Sequence, residues 1–366
     1  MKKLSIAITI RNDKPLAQII FGNGLSQNVK FLYDLLKIMG HKPFFLVAKE
    51  AEDNTITFSN TKYKAYSMAN VWAQDIPVDI ALEAGVSIHH PQRAKLRDRR
   101  GAVIVSVRYG HSMFMDMEQI CHKETLSPGL YINKPDALWA SPHFENSFSY
   151  LETVYDAPVL TAPYIWEPDF VKEPFSSDDL LVVPDVYVME PNISLLKNAL
   201  IPMTIIERLF RENPDCFGKA TILNGIGFNK QKFFLENLVR NMRSLESKAN
   251  KVYFSGRYPF DTVFKRRDVL LGNQWGCELN YLYMEAFYRN VPLVHNSEAH
   301  KEGGYYYPEF QVDIGKEMLE KALTDKKVDA YHKRCKKVVY RHSIHNPDVK
   351  LAYRKLLEQT LALKAS

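Results

Sequence analysis

The sequence has few cysteines and no long apolar run. Its four cysteines form no CxxC pair: Cys121, Cys216, Cys277 and Cys335. This spacing disfavours a zinc site or a disulfide framework and is typical of a reducing compartment. No stretch reaches the roughly 18 continuous apolar residues of a membrane span. The segment MKKLSIAITI meets Arg11 to Asp13 at once, which favours a strand over a signal peptide. We therefore expect a cytoplasmic protein without a transmembrane segment.

Two further absences narrow the enzyme classes. No GxGxxG motif follows the first strand of either half, which disfavours a dehydrogenase. The pair His89 and His90 and the pair His342 and His345 have no carboxylate or cysteine partners at zinc-site spacing. We therefore expect no metal site and no resident cofactor.

Composition favours a folded chain of two domains. The 366 residues are 46% hydrophobic and 12% aromatic, which argues against disorder, and they exceed the size of one typical core. The formal net charge of +6 suits an anionic partner such as a nucleotide diphosphate, a nucleic acid or a lipid surface.

Strands and helices alternate along both halves, the pattern of parallel α/β construction. In the first half, strands are predicted at 4–10, 43–48, 78–82, 102–107 and 137–140. In the second half, strands are predicted at 182–189, 220–223, 252–255, 269–272 and 291–295, and helices at 195–213, 230–245 and 279–289. Four prolines within residues 157–178 predict a stiff connection. We expect two Rossmann-like domains facing a central cleft, residues 1–165 and 178–325, with one half able to hold a nucleotide and the other to present an acceptor. Residues 326–366 are expected to form a helical tail able to return to the first domain.

The segment from Val269 to Phe310 carries the strongest functional pattern: strand, polar loop, helix, turn, strand and glycine loop. Within it, Glu278 and Glu285 are seven residues apart, so they fall within about 20° of one helical face. Asn290 suits the end of this helix, before the next strand.

This segment resembles the donor-binding region of GT-B glycosyltransferases, and its wider run is similar to that of a group of bacterial and phage proteins. The resemblance implies that Glu285 accepts hydrogen bonds from the ribose hydroxyls of a nucleotide, a role suited to a carboxylate. The family separates its two glutamates by eight positions instead of seven, and it usually has glycine where this chain has Asn290. No Asp-x-Asp motif appears, so the metal-dependent GT-A architecture lacks its marker.

A diphosphate donor also requires cations and backbone N–H groups. Arg257 follows a predicted strand, Lys197 and Lys265 are alternatives, and the segment from Asn192 to Ser194 opens a helix. The full donor-binding set predicted from the sequence is: Glu285, Glu278, Arg257, Lys197, Lys265, Asn192, Ser194, Asn280, Gly303 and Gly304.

Three residues of the first half are candidates for activating an acceptor hydroxyl. His111 follows a predicted strand, titrates near neutrality and resembles the histidine that many GT-B enzymes place there. Glu83 ends another strand, and Asp13 lies in the loop after the first one; a carboxylate in either place can serve as a base.

Together these features predict a metal-independent hexosyl- or pentosyltransferase. Its co-substrate would be a nucleoside diphosphate sugar, in the first instance a UDP-sugar, and its acceptor a hydroxyl of a glycan, a lipid-linked sugar or a hydroxymethylated base in DNA. The basic, aromatic run at 326–354 suits a phosphate backbone or an anionic membrane, or a solvated helix face. A GT-B-fold nucleotide-sugar epimerase and a non-catalytic protein that binds sugar nucleotides or nucleic acid are the alternatives.

Overall fold

The computed structural model describes residues 2–12, 24–58, 60–122, 134–175, 183–265, 267–325 and 328–364. Two compact units divide the chain: Met1–Glu167 with His342–Ser366, and Pro168–Arg341. The chain therefore leaves the first unit after Glu167 and re-enters it at His342. Within the ranges given above, no helix is both long and apolar enough to cross a membrane.

The first unit alternates strands with helices. Its strands are β1 (Ser5–Thr9), β2 (Lys42–Val47), β3 (Thr55–Phe58), β4 (Thr61–Ser67), β5 (Ile80–Glu83), β6 (Val103–Arg108), β7 (Ala137–Ala140) and β8 (Val159–Thr161). Its helices are α1 (Gly24–Ile38), α2 (Met68–Ala73), α3 (His90–Arg100), α4 (Ser112–His122) and α5 (Phe148–Tyr155). Strand β8 lies within the proline-rich stretch predicted as a connection.

The described strands of this unit form one sheet in the order β3-β4-β2-β1-β5-β6-β7-β8. All neighbours are parallel except the β3–β4 pair, which is antiparallel. Every residue of β1, β6 and β7 is buried, as expected for central strands covered on both faces. The order reverses between β2-β1 and β5, which makes a topological switch point at the carboxyl edge.

The last helix of the described chain belongs to the first unit. We number it α11 (Pro347–Ala362), after the helices of the second unit. The Trp139 Nε1 donates to the Thr360 Oγ1 at 3.0 Å, which ties β7 to α11. Where the chain re-enters, Glu167 accepts from the Ser343 hydroxyl at 2.6 Å and the Ile344 N–H at 2.7 Å. The tail predicted at 326–366 is thus divided between the units: it belongs to the second unit up to Arg341 and to the first unit from His342.

The second unit repeats the alternation. Its strands are β9 (Val186–Val188), β10 (Ala220–Ile222), β11 (Val252–Phe254), β12 (Val269–Leu271), β13 (Leu293–His295) and β14 (Tyr305–Tyr306). Its helices are α6 (Leu200–Glu212), α7 (Phe260–Val263), α8 (Tyr281–Arg289), α9 (Val312–Thr324) and α10 (Val328–Arg341).

These strands are all parallel and lie in the order β11-β10-β9-β12-β13-β14. Numbered within the unit, the order is 3-2-1-4-5-6, that of a dinucleotide-binding Rossmann domain. The switch point lies between β9 and β12. Ligands of such sheets bind beyond the carboxyl ends of the strands at that point.

The helix predicted over residues 230–245 forms only in part. Residues 232–241 are helical, mostly in π and 3-10 geometry, and the chain becomes extended at Met242. The Asn237 and Asn241 side chains donate to backbone carbonyls four residues earlier, at 3.0 and 2.7 Å, a competition that weakens helices. Downstream, the Glu207 carboxylate of α6 accepts the Arg243 and Ser244 N–H groups at 2.9 and 2.8 Å, which replaces helical bonds with tertiary ones.

Candidate functional site

Buried polar side chains follow three neighbouring strands of the second sheet. Glu190 comes two residues after β9, Asn273 and Gln274 follow β12, and Asn296 follows β13. All four are at most 7% exposed. Because parallel strands end at the same edge, their loops meet beyond the carboxyl ends, where this sheet type binds ligands.

Glu190 links the loops on the two sides of the switch point. Its carboxylate accepts the Asn273 N–H at 3.0 Å and the Gln274 Nε2 at 2.7 Å. Burial raises the pKa of Glu190 to about 7, against the opposing effects of the Asn273 bond, the Lys197 charge and the Gln274 bond. A carboxyl group therefore changes protonation near neutral pH at the place where the sheet topology predicts a ligand.

Asn296 joins two further loops. Its Oδ1 accepts the Gln274 N–H at 2.7 Å, and its Nδ2 donates to the Gln274 carbonyl at 2.8 Å and the Glu309 carbonyl at 2.9 Å. Tyr307 reinforces this arrangement, since its hydroxyl donates to the Gly272 carbonyl at 2.9 Å. The side chains of Asn296 and Tyr307 thus hold the loops after β12 and β14 through hydrogen bonds to backbone groups.

The loop after β9 contains three residues of the predicted donor set, and the structure brings them to this edge. Asn192 has a left-handed φ of 56°; its Oδ1 accepts the Ala199 N–H at 2.7 Å and its Nδ2 donates to the Glu190 carbonyl at 2.9 Å. The Ser194 Oγ accepts the Leu196 N–H at 3.1 Å. Lys197 is half-buried, and its charge acts on Glu190. Asn192 and Ser194 shape this loop and do not open a helix as predicted, since α6 begins only at Leu200. Lys197 supplies a cation.

The loop after β12 leads to α8, whose first residues lie at the same edge. Asn280 is the N-cap, and its Oδ1 accepts the Leu282 N–H at 3.1 Å. The Glu278 carboxylate accepts the Ala299 N–H at 3.0 Å, and its carbonyl accepts the Ser297 hydroxyl at 3.0 Å. Both predicted residues therefore fix the entry into α8. The helix dipole makes this end of α8 favourable for an anion.

Glu285 lies in the middle of α8, one turn before Arg289. Its side chain is half-buried. Burial, with a smaller contribution from the charge of Asp261, raises the pKa of Glu285 to about 8. Arg289 forms an ion pair with Asp261, and the Lys172 N–H donates to the same aspartate at 3.2 Å. The raised pKa favours the protonated form of the Glu285 carboxyl near neutral pH.

The structure does not bring Lys265 and the glycine pair to the polar loops. Lys265 precedes β12 and its N–H donates to Asp268, at the amino edge of the sheet. Gly303 and Gly304 precede β14, and a Cβ on Gly304 would lie 2.7 Å from the carbonyl oxygen of Leu293, the first residue of β13. Packing explains both glycines, since Gly304 has a φ of 58° and a Cβ on Gly303 would approach the neighbouring aromatic ring to 3.1 Å.

Arg257 follows β11, three residues after the strand ends. It lies at the carboxyl edge of the sheet, on its outermost described strand, and is exposed. It shares this edge with Lys197 but lies on the far side of β10 from β9.

In the first unit, His111 lies beyond the end of β6. It is 1% exposed, neither ring nitrogen has a hydrogen-bond partner among the described residues, and its ring lies 4.4 Å from that of Phe114 and 5.2 Å from that of Phe144. Burial lowers the pKa of His111. The imidazole is therefore neutral near pH 7, the form in which a histidine accepts a proton.

The two carboxylate candidates of the first unit have different outcomes. Glu83, at the end of β5, is buried; it pairs with Arg93 at 3.1 Å and accepts the Ile88 N–H at 2.8 Å. Burial raises the pKa of Glu83. Glu83 thus links β5 to α3, and both of its carboxylate oxygens are already hydrogen-bonded. Asp13 lies outside the described residues.

Glu190, Gln274 and Asn296 were missed by the sequence analysis. Each is a polar residue one to three positions after an apolar strand, and that signal could have found them. Within the described ranges, no group of three His, Cys, Asp or Glu side chains is placed to hold a metal ion.

Solved glycosyltransferases are similar to this chain in fold. Sucrose-phosphate synthase from Thermosynechococcus elongatus has 12% identity and a TM-score of 0.57, over 100% of both chains. The pneumococcal O-GlcNAc transferase GtfA, in complex with UDP and GlcNAc, has 8% identity and a TM-score of 0.54, over 99% of this chain and 100% of that one. The trehalose 6-phosphate synthase of Burkholderia multivorans has 12% identity and a TM-score of 0.57, over 100% of both chains. These similarities confirm the predicted GT-B fold class.

The sequence matches no curated protein. A family model does match it, over residues 6–357, and its description is "Protein of unknown function (DUF2827)". Since this match extends from within β1 to within α11, and so over most of the chain, the chain belongs to the DUF2827 family.

Proposed function

We propose that this protein transfers a sugar from a nucleoside diphosphate sugar to a hydroxyl acceptor. The observation that carries the proposal is the carboxyl edge of the second sheet, where the start of α8 and the Glu190 network lie at the switch point of a 3-2-1-4-5-6 sheet. Such an edge binds nucleotides in many α/β proteins. The fold similarity to GtfA, whose structure holds UDP and GlcNAc, supports the same ligand class.

In this proposal the diphosphate binds at the first turn of α8. The positive end of the helix dipole and the backbone N–H groups of the preceding loop favour an anion. Lys197 adds a positive charge near Glu190. Glu285, one and a half turns along α8, accepts hydrogen bonds from the ribose hydroxyls. A carboxyl group with a raised pKa ionises more readily when two hydroxyl groups donate to it.

The leaving diphosphate is stabilised by cations of the protein, and we propose that the reaction is independent of a metal ion. Lys197 is half-buried and Arg257 is exposed at the same edge of the sheet. Fixed positive groups that face the developing charge lower the barrier without a divalent ion. We expect activity to persist in excess EDTA.

The acceptor is a hydroxyl compound, and we propose His111 as the group that takes its proton. The imidazole is neutral at pH 7 because burial lowers its pKa, so it can accept a proton. A glycan, a lipid-linked sugar and a hydroxymethylated DNA base each present such a hydroxyl. A DNA acceptor would also need a cationic surface, and α10 presents four exposed cations: Lys333, Arg334, Lys336 and Lys337.

The test is to incubate the full chain with UDP-, ADP-, GDP- and dTDP-sugars and to measure release of the nucleoside diphosphate. We expect slow release from one donor in water and faster release when the acceptor is added. Glu285→Ala should reduce release, whereas the exposed control Glu317→Ala on α9 should not. Donor binding without release would instead make the protein a binder, and an epimeric nucleotide sugar as product would make it an epimerase.

A further inference from the structure

Two aromatic side chains are exposed at the carboxyl edge of the second sheet. Trp275 follows β12 and Phe310 follows β14, and each is 44% exposed. Their ring centroids are 6.0 Å apart with an interplanar angle of 75°. Two loops that are far apart in sequence thus place large apolar surfaces side by side in solvent.

The exposure of Trp275 is unusual for this chain. Of the four tryptophans, Trp139 and Trp166 are at most 1% exposed. Trp72 is half-buried, and its Nε1 donates to Gln92 at 2.9 Å. Trp275 is therefore the exposed tryptophan, and it lies directly after the buried Gln274.

Asn296 holds both loops just before the aromatic residues. Its Nδ2 donates to the Gln274 carbonyl at 2.8 Å and to the Glu309 carbonyl at 2.9 Å, and its Oδ1 accepts the Gln274 N–H at 2.7 Å. These two backbone positions immediately precede Trp275 and Phe310. One side chain, 7% exposed, therefore sets the separation of the two rings.

Two further features fix this geometry. The Trp275 N–H donates to the Leu196 carbonyl at 2.9 Å, which ties the tryptophan to the loop after β9. Glu309 has a φ of 47°, a left-handed conformation that costs energy for a residue other than glycine. The surrounding bonds hold that conformation, and Phe310 follows it directly. The backbone that carries the two exposed rings is thus fixed by hydrogen bonds.

We infer that Trp275 and Phe310 form an aromatic subsite that stacks against a flat ring of the nucleotide sugar. The inference rests on the proposed function, because it places the subsite beside the proposed diphosphate position at the start of α8. A nucleobase and the C–H face of a hexose both present a flat apolar surface to an indole ring, and either would cover the exposed faces.

Tryptophan emission and calorimetry test the subsite directly. The wild type is titrated with UDP, ADP, GDP and dTDP, with their glucose esters and with glucose 1-phosphate. We expect the binding nucleotide to quench the emission, and Trp275→Phe to lose most of the quenching. Trp72→Phe, the matched control in the first unit, should keep it. Trp275→Ala should bind the ligand about tenfold more weakly.

Comparing the free nucleoside diphosphates with their glucose esters shows whether the base or the sugar stacks on Trp275. Tenfold weaker binding of the free diphosphate by Trp275→Ala assigns the subsite to the base, and weaker binding of the sugar ester alone assigns it to the sugar. Equal affinities of Trp275→Ala and the wild type for all bound ligands would overturn the subsite and leave the proposed function standing. If the wild type binds none of the ligands, both the proposed function and the subsite are wrong.

Discussion

At the scale of single residues, two carboxyl groups of the second unit have strongly raised pKa values, the buried Glu190 and the half-buried Glu285. Glu190 and Glu285 lie on different elements, and burial raises the pKa of the first to about 7 and of the second to about 8. Glu190 is held by neighbours on the loop after β12, whereas a second carboxylate, Asp261, raises the pKa of Glu285 further. When a carboxyl group with a raised pKa ionises in the folded protein, the free energy of unfolding falls.

Replacing Glu285 with alanine should weaken donor binding while the fold is retained. The side chain supplies a pair of charge-assisted hydrogen bonds to the ribose in our proposal, and losing them costs about 1.5–3 kcal/mol, roughly ten- to a hundredfold in affinity. Calorimetric titration of the nucleoside diphosphate measures this loss. Unchanged affinity in Glu285→Ala, relative to Glu317→Ala, would refute the ribose role.

Replacing Glu285 with glutamine should stabilise the protein at alkaline pH. The folded-state pKa of about 8 lies above the ordinary value of 4.5, so the folded protein binds more protons between these values and the wild type loses stability as the pH rises from 4.5 to 8. Glutamine cannot ionise and avoids this loss. We expect Tm of the variant to exceed that of the wild type by about 2–4 °C at pH 8.5, for a stabilisation of about 1 kcal/mol.

The control for this experiment is the same comparison at pH 4.5. There both proteins are uncharged at this position, so their Tm values should agree. A Tm difference that stays constant from pH 4.5 to 8.5 would contradict the raised pKa of Glu285.

At this scale the sequence predicted residues at the carboxyl edge of the second sheet better than the buried groups that hold its loops. Asn192, Lys197 and Asn280 were all placed at the carboxyl edge because they follow strands. Glu190 was missed although it follows β9 by two residues, because that position alone does not reveal what its carboxylate binds. Its importance follows from bonds to residues more than 80 positions away, which only the fold brings near.

At the scale of elements, the loops after β12 and β14 depend on Asn296. Asn296→Ala removes three hydrogen bonds to backbone groups, and leaving buried groups unpaired costs about 1–3 kcal/mol. We expect Tm to fall by about 2–12 °C. The quenching of Trp275 by the bound nucleotide should also fall, because its loop is no longer held.

Asn237→Ala is the matched control for that variant. Its side chain donates to one carbonyl, that of Phe233, in an exposed turn of the same unit. We expect it to leave both Tm and the quenching near the wild-type values. Full quenching by Asn296→Ala would show that Asn296 does not position the tryptophan.

Elements with strong apolar runs could be predicted from the sequence, and those decided by tertiary contacts could not. Strand β7 has the predicted bounds, since its four residues are apolar and buried. Strand β14 is only two residues long and has no periodicity to find. The predicted helix at 230–245 is irregular and ends at Asn241, because asparagine side chains bond its carbonyls and Glu207 of α6 binds the N–H groups that follow it.

At the scale of the whole molecule, alternation of strands and helices predicted the fold class, because each strand–helix unit buries its apolar face only in a layered α/β arrangement. The strand orders themselves were beyond the sequence. They depend on which strands pair, such as β9 with β12 across 80 residues of chain. The return of α11 to the first unit likewise depends on contacts such as that between Trp139 and Thr360.

The charged face of α10 tests the class of acceptor. Among the side chains of α10 that the structure describes, Tyr331, Cys335 and Val338 are buried, and the four exposed cations named above lie on the other face. If DNA is the acceptor, reversing all four to glutamate should weaken DNA binding by orders of magnitude and flatten its dependence on salt between about 50 and 200 mM. Nucleotide release from the donor should persist. Equally weak, salt-insensitive DNA binding by both proteins would leave a carbohydrate acceptor.

A crystal structure of the full chain with UDP, or with whichever nucleoside diphosphate binds, tests the central claim most directly. The account predicts the diphosphate at the first turn of α8, beside Asn280, and the ribose within hydrogen-bond distance of Glu285. A flat ring is predicted to stack on Trp275 at the same edge. That ring is either the base, seen with the nucleoside diphosphate alone, or the hexose, seen only with the nucleotide sugar. A nucleotide bound at the carboxyl edge of the first sheet, or at the amino edge of the second, would contradict the account.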